Sequence, residues 1–394
     1  MIREIQIRNF KSITDLTLPL GRITVLIGAN GSGKSNILEA ITIGSAAANH
    51  KLDNEFLASR GIRVPDDPCF MRTAFDKNMA DTDISLSYLD DKDDKFIYTL
   101  QKDNRHPYSP WEVTKGFIPY SNPDHILREE EIRNLFPKFR ALIDPNTNLN
   151  GEIVPNLNEL QIFRLLYEYD AGPTDLLSFR FYSPENSALQ TFEAEGQILP
   201  LGIRGQGLFK LLRILSTSDR DAIKEIKEKL ALIDWFSDFD IAGDLAPLER
   251  SLRIRDRFLD DDLAYFDQKS ANEGFLFLLF YYSLFISKDT PTFFAVDNVD
   301  ASLNPKLCSQ LMTDLVQLAD AHGKQAIFTT HNPAVLDGLD LTDDEQRLFV
   351  VSRNRNGHTR IRRVPPPQVT EGQTPVRLSE AFLRGYLGGL PDNF

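Results

Sequence analysis

The chain has 394 residues, with 44 Lys and Arg against 57 Asp and Glu, for a formal net charge of −13. That balance excludes a generally basic nucleic-acid coat, because phosphate binding needs clustered cations. A hydrophobic content of 42% with 26% charged residues excludes wholesale disorder, and at roughly 150 residues per domain the length predicts two or three structural units.

The opening segment alternates apolar residues at Ile5 and Ile7 and has no apolar signal core, so nothing in it directs export. Residues 23–27 (ITVLI) form a second strand running straight into a glycine-rich turn, and helical spacing resumes at Ile37, Leu38 and Ile41. Residues 76–160 carry scattered acids, prolines and Asn-rich stretches, which predicts an insert of strands and short helices. Helical patterns follow at 208–215 and 223–233 without any long heptad run, so no extended coiled coil is expected.

The apolar run 274–286 (GFLFLLFYYSLFI) is shorter than the roughly 20 residues a membrane helix needs and predicts a buried helix. Residues 292–296 (TFFAV) have the continuous apolar character of a buried parallel strand. A helix follows, with Asn304 as N-cap, Pro305 at its first position, an apolar stripe at Leu307, Leu311, Leu315 and Leu318, and Gly323 as its stop. Residues 325–330 then form a strand, so a right-handed parallel crossover is predicted. The tail reads as a hairpin, 348–352 and 359–364 around Asn356 and Gly357, followed by a helix near 378–386. Cys69 and Cys308 are the only cysteines, too few for a disulfide framework or zinc spacing, which with the absence of an export signal predicts a cytoplasmic protein.

The strand-to-helix turn Gly28-Ala29-Asn30-Gly31-Ser32-Gly33-Lys34-Ser35 fits G-x-x-x-x-G-K-S in full. Glycines let backbone N–H groups curl around phosphates, the lysine reaches the β and γ phosphates, the serine ligates Mg²⁺, and the helix N-terminus adds a favourable dipole. The candidate contacts for ATP and Mg²⁺ are Asn30, Gly31, Ser32, Gly33, Lys34, Ser35 and Asn36, with Ser35 on the metal.

With the opening Ile5-Gln6-Ile7-Arg8-Asn9-Phe10-Lys11-Ser12, the downstream FFAVDNVDASLNP (293–305) and TTHNPAVLDGL (329–339), the chain resembles ABC-type ATPases of the RecF and SMC kind, including bacterial AAA ATPases of phage-defence operons. The resemblance implies an α/β P-loop NTPase head with an inserted α+β lobe and no long coiled coil. Its expected parts are an N-terminal part of the head at 1–75, the inserted lobe at 76–175, a helical signature-side subdomain at 176–265 and the rest of the head at 266–394. It further implies that Asp297 holds Mg²⁺, that Ser302 to Pro305 form the D-loop touching a partner subunit, and that His331 is the switch histidine. Where the group has glutamate after that aspartate, this chain has Asn298, an amide that cannot take a proton, so slow hydrolysis is expected; Asp300 stands two residues on as a possible helper.

The signature is expected before the buried helix, either with Ser270 as its serine and Glu273 as its acid, or with Asn272 in the serine place and Gly274 as the glycine. Alternatively S-x-x-E there is simply a capping box. Arg353, Arg355, Arg360, Arg362 and Arg363 form a cluster suited to nucleic acid or an acidic partner, or to blunting a strand edge, while Gly202, Gly205 and Gly207 mark a second glycine-rich turn. The acids at Asp337, Asp340, Asp343, Asp344 and Glu345 read as loop and helix start, so no self-contained nuclease is expected.

The resemblance implies a head-to-tail dimer or higher oligomer that binds Mg-ATP and dwells in that state, a bacterial defence ATPase controlling a separate effector protein. The alternative is a RecF-like repair factor that binds DNA; a membrane partner is not expected.

Overall fold

A computed structural model of the chain describes residues 1–65, 68–72, 75, 79, 81–103, 109–118, 127–128, 173–191, 200–241, 251–263, 265–367 and 376–389. In chain order the strands are β1 (Ile2–Phe10), β2 (Ile13–Pro19), β3 (Ile23–Ile27), β4 (Ile84–Asp90), β5 (Lys95–Gln101), β6 (Glu112–Ile118), β7 (Leu127–Arg128), β8 (Arg180–Tyr182), β9 (Phe236–Ile241), β10 (Leu252–Asp256), β11 (Phe293–Val296), β12 (Gln325–Thr330), β13 (Gln346–Arg353) and β14 (Thr359–Arg363). The helices used below are α1 (Lys34–Ala48), α2 (Asn54–Ser59), α3 (Leu208–Ser218), α4 (Arg220–Leu230), α5 (Glu273–Ile286), α6 (Pro305–Ala321) and α7 (Leu378–Leu383). Two compact units share the chain: one holds residues 1–20, 36–179 and 353–360, the other 21–35, 180–352 and 361–394.

In the first unit a six-stranded sheet runs β2-β1-β4-β5-β6-β7, antiparallel at every pairing. Ile5 pairs with Leu18 and Ile7 with Leu16, so the alternation seen in the sequence becomes one buried face. The insert thus supplies strands to the sheet begun at the N-terminus; most of its later part, 129–172, lies outside the described residues. Helix α1 packs on this sheet with Ile37, Leu38 and Ile41 fully buried. Gly44 is the residue that permits the approach: a Cβ there would sit 1.7 Å from the Tyr88 hydroxyl of β4.

In the second unit the order is β14-β13-β3-β12-β11-β8, with β13, β3, β12, β11 and β8 all parallel. Strands β3, β11 and β12 are buried along their whole length, the signature of a parallel sheet covered on both faces. Every residue of α5 from Phe275 to Ile286 is buried; Phe285 meets Phe294 edge-on at 5.1 Å and stacks on Phe328 at 6.1 Å. Helix α6 starts as its sequence requires, with Asn304 Oδ1 accepting from the Leu307 amide at 3.0 Å, and Gly323 follows its end at φ 63°. The glycine-rich turn at 202–207 leads into α3, with Gly207 as its N-cap at φ 81°. Among the described residues no helix is long and apolar enough to cross a membrane.

One lysine closes the turn between α5 and β11. The buried Lys324 ammonium donates to the carbonyls of Ser287 (2.8 Å), Thr290 (3.0 Å) and Pro291 (3.3 Å) and to the Thr290 hydroxyl (2.9 Å). Burial pushes its pKa down to about 8. Lys324→Met leaves these acceptors without their donor and is expected to cost about 2–4 kcal/mol in urea denaturation. The pH signature is specific: the unfolded chain holds this proton more tightly, so wild type gains stability as pH rises from about 8 toward 10.5, and the variant lacks that gain.

Candidate functional site

The phosphate loop joins β3 to α1 in the second unit. Gly31 and Gly33 take φ of 73° and 111°, where a side chain would strain the backbone. Gly28 is required by crowding, since a Cβ there would lie 2.1 Å from the Val351 carbonyl of β13. Lys34 is buried and bends back on its own loop, donating to Gly28 O at 2.7 Å and Ala29 O at 3.1 Å. Burial lowers its pKa to about 8, against the pull of the Asp297 and Asp300 carboxylates. Ser32 is buried, Ser35 half-buried, and Asn30 and Gly31 face solvent.

Asp297 follows the end of β11, its amide held by Tyr182 O at 2.8 Å and its carboxylate accepting from Thr329 Oγ1. The same Thr329 oxygen accepts from the Asn298 amide at 3.0 Å. Asp300 Oδ1 accepts from Thr330 Oγ1 at 2.6 Å. The two threonines that end β12 are therefore the fixtures of both acids, a role that the TTH triplet signalled only by position. His331 follows them at the surface; burial and Lys34 lower its pKa, while Asp300, Asp297 and a bond to the Gly28 backbone oppose them, so the ring is neutral at pH 7. The structure thus brings Lys34, Asp297, Asp300 and His331 into one electrostatic group at the C-terminal ends of parallel strands.

Asn298 is exposed and sits at φ 51°, in the left-handed region where asparagine is among the few tolerated side chains. Local backbone geometry therefore accounts for an amide at this position. Ser302 is also left-handed, at φ 58°.

At the start of α5 the structure corrects the capping-box reading. Ser270 does not cap the helix; its hydroxyl donates to Asp267 Oδ1 at 3.0 Å. Asn272 is the N-cap, its Oδ1 accepting from the Phe275 amide at 2.8 Å. Glu273 accepts from Ser302 Oγ at 2.6 Å and from Asn186 Nδ2 at 2.8 Å, a link the sequence did not reveal. Gly274 leaves room for the loop at Ser302, since a Cβ would lie 3.2 Å from Ser302 O. Asn272, Gly274, Ser302 and Asn304 line a groove of about 1370 Å³; Ser270 does not.

Asn36 is engaged in the first unit, donating to Ser12 Oγ at 2.7 Å and accepting from Arg63 Nη2 at 3.1 Å. The buried Glu39 beside it holds both Lys11 and Arg63, and Asn9, near the end of β1, takes a left-handed φ of 56°. These contacts explain the N-F-K-S opening as a folded cluster. Part of the arginine cluster is also absorbed locally: Arg363 pairs with Asp344 at 2.5 Å and Arg353 covers the Phe75 ring at 5.6 Å.

The donor set suits Mg²⁺ bound together with nucleotide. Among the described residues no group of three or more His, Cys, Asp or Glu could hold a metal alone. One serine hydroxyl and one carboxylate, Ser35 and Asp297, are what an ion that keeps waters and shares substrate phosphates requires.

Residues 23–337 match the family described as "AAA domain, putative AbiEii toxin, Type IV TA system". An OLD nuclease of Thermus scotoductus is 36% identical over 67 residues, 17% of this chain and 11% of that protein. The DNA replication and repair protein RecF of Bacillus cytotoxicus is 38% identical over 55 residues, 14% of this chain and 15% of RecF. The chain therefore covers less than a sixth of either relative's length. In fold it is similar to an SMC head bound to the C-winged helix domain of ScpA, with a TM-score of 0.55 at 16% identity over 92% of this chain and 98% of that one. An SMC head with an extended coiled coil, bound to the C-terminal domain of ScpA derived from Pyrococcus furiosus, gives a TM-score of 0.50 at 14% identity, over 92% and 96%.

Proposed function

This chain belongs to that AAA domain family and is an ABC-type ATPase of the RecF and SMC-like group, and from that membership we propose that it is a cytoplasmic, slowly hydrolysing ATP switch. The observation that carries the reading is the group formed by Lys34, Asp297, Asp300 and His331, with an amide where the general base belongs. Lys34 leaves Gly28 O and Ala29 O for the phosphates, and the loop amides and Ser35 receive their charge. Ser35 and Asp297 would hold Mg²⁺, which would supply positive charge to the bound phosphates. Thr329 fixes Asp297, and neutral His331 senses the terminal phosphate. A second copy completes the site by presenting the rim at Asn272 and Gly274, so nucleotide state sets dimer geometry.

In a bacterial host this switch controls a separate effector in defence against phage. The RecF match favours a second reading, a DNA-binding repair ATPase. Steady-state turnover with light scattering in ATP tests the proposal: well below about 1 s⁻¹ and an ATP-dependent dimer are expected, whereas turnover at the median enzyme rate of about 10 s⁻¹ would overturn it. Salt-sensitive DNA binding that requires ATP would favour the repair reading. Unchanged phage sensitivity after deletion in the host would remove the defence role.

A further inference from the structure

The first unit contains a cavity of about 480 Å³ beside the end of α1 and the start of β6. Its wall includes His50, Asn54, Lys102, Ser109 and Trp111. Its acid, Asp53, is engaged as the N-cap of α2, accepting from the Phe56 amide at 2.8 Å. Two cations lie close to the indole: the Arg72 guanidinium is 5.5 Å and the Lys102 ammonium 5.7 Å from the Trp111 ring. Arg72 also donates to the Lys102 backbone carbonyl at 3.0 Å, which ties the guanidinium to the strand end that carries Lys102. The buried Lys115 ammonium, behind the wall residue His50, is 2.8 Å from its Nε2.

Lys115 has a structural reason to be there, since it also donates to Ala48 O at 3.3 Å and so closes the C-terminus of α1. Among the described residues no comparable backbone cap accounts for the Lys102 ammonium or the Trp111 ring. In a chain of net charge −13, a concave site whose wall carries an indole, a lysine and a histidine, with Arg72 beside the indole and Lys115 beside the histidine, favours an anion carrying a planar ring. The like-charged pair supports this, because burial and Arg72 both lower the Lys102 pKa and an anion would relieve both.

We propose that this cavity is a second ligand site that takes a nucleoside phosphate, with the phosphate against Lys102 and His50 and the base against Trp111. The volume lies within the roughly 300–1,000 Å³ of small-molecule sites, and stacking of a base on an aromatic ring contributes about 1–3 kcal/mol. A free nucleotide and the 5′-phosphorylated end of a nucleic-acid strand share this chemistry. The site is independent of the phosphate loop and does not rest on the switch reading.

The chain has two tryptophans, Trp111 and Trp235. Trp235 packs on Phe266 at 5.8 Å and Phe275 at 5.5 Å, so Trp235→Phe keeps an aromatic ring there and leaves Trp111 as the fluorescent reporter. Titration with AMP, with a 5′-phosphorylated octanucleotide and with the same octanucleotide lacking the phosphate distinguishes the two sources. A saturable fluorescence change with a phosphorylated probe is expected, weakened about tenfold by Lys102→Gln, the worth of one charge-assisted contact. No saturable change with any phosphorylated probe, or equal binding of hexaglutamate, would overturn the proposal. Should the tryptophan variant misfold, calorimetry of the unaltered full chain with AMP replaces it: heat lost in Lys102→Gln but kept in Lys34→Ala supports the site. The reverse pattern assigns binding to the phosphate loop and overturns it.

Discussion

ATP turnover in Lys34→Ala is expected to fall at least about a thousandfold, corresponding to about 4 kcal/mol of lost transition-state stabilisation. The amine is buried, faces two carboxylates and in the free chain is held by Gly28 O and Ala29 O. Its role also has a pH signature. Lys34 has a pKa of about 8 in the free chain, and phosphate oxygens raise it, so binding takes up a proton when the pH exceeds about 8. Affinity is therefore level below that value and declines above it, until the pKa of the bound state is passed. Calorimetry at pH 8.5 in buffers of different ionisation enthalpy reads this uptake directly. Wild type is expected to show it and Lys34→Gln to lack it; equal uptake in both would assign the proton elsewhere.

Asn298→Glu is expected to raise turnover about ten- to a hundredfold, below the full 10²- to 10⁴-fold worth of a well-placed general base. The shortfall has a structural cause, since Asn298 holds φ 51° and a glutamate there carries about 1 kcal/mol of backbone strain. The same variant should therefore be less stable by about that amount. Asn298→Gly separates the two effects, because glycine keeps the left-handed turn without an amide: stability should hold while the residual turnover falls. Unchanged turnover in both variants would mean that Asp300 or His331 activates the water and that position 298 serves only the backbone.

The local motifs were legible because each is a property of neighbouring residues. The phosphate loop, the Asn304 cap and the buried character of 274–286 all follow from spacing alone. The head fold was legible through the order of its motifs. What escaped was long-range. Nothing in residues 84–118 announces that they extend the sheet begun by Ile2–Phe10, because antiparallel pairing leaves no mark of its partner in either strand. The Ser270 capping box was a plausible local reading, but the helix begins at Glu273 and Asn272 is the residue whose backbone is extended. Glu273 then faces Ser302 and Asn186, partners visible only after the chain has folded. Asn298 could be read as a chemical departure, whereas its left-handed backbone required the structure.

The strand order of the second unit also governs when this protein can exist during its own synthesis. Gly21, next to β3, is bonded to Gln325, 304 residues away in the chain. At about 5–20 residues per second, the ribosome takes roughly 15–60 s to supply that partner. Strands β1, β2, β4, β5 and β6 can pair long before, while β3, buried along its whole length in the fold, waits with both edges open. A nascent chain therefore displays its phosphate-loop sequence without the strands that shape it until β12 and β13 have been made. That interval makes β3 the segment for a chaperone to shield, and nucleotide cannot assist folding until β12 and β13 have emerged.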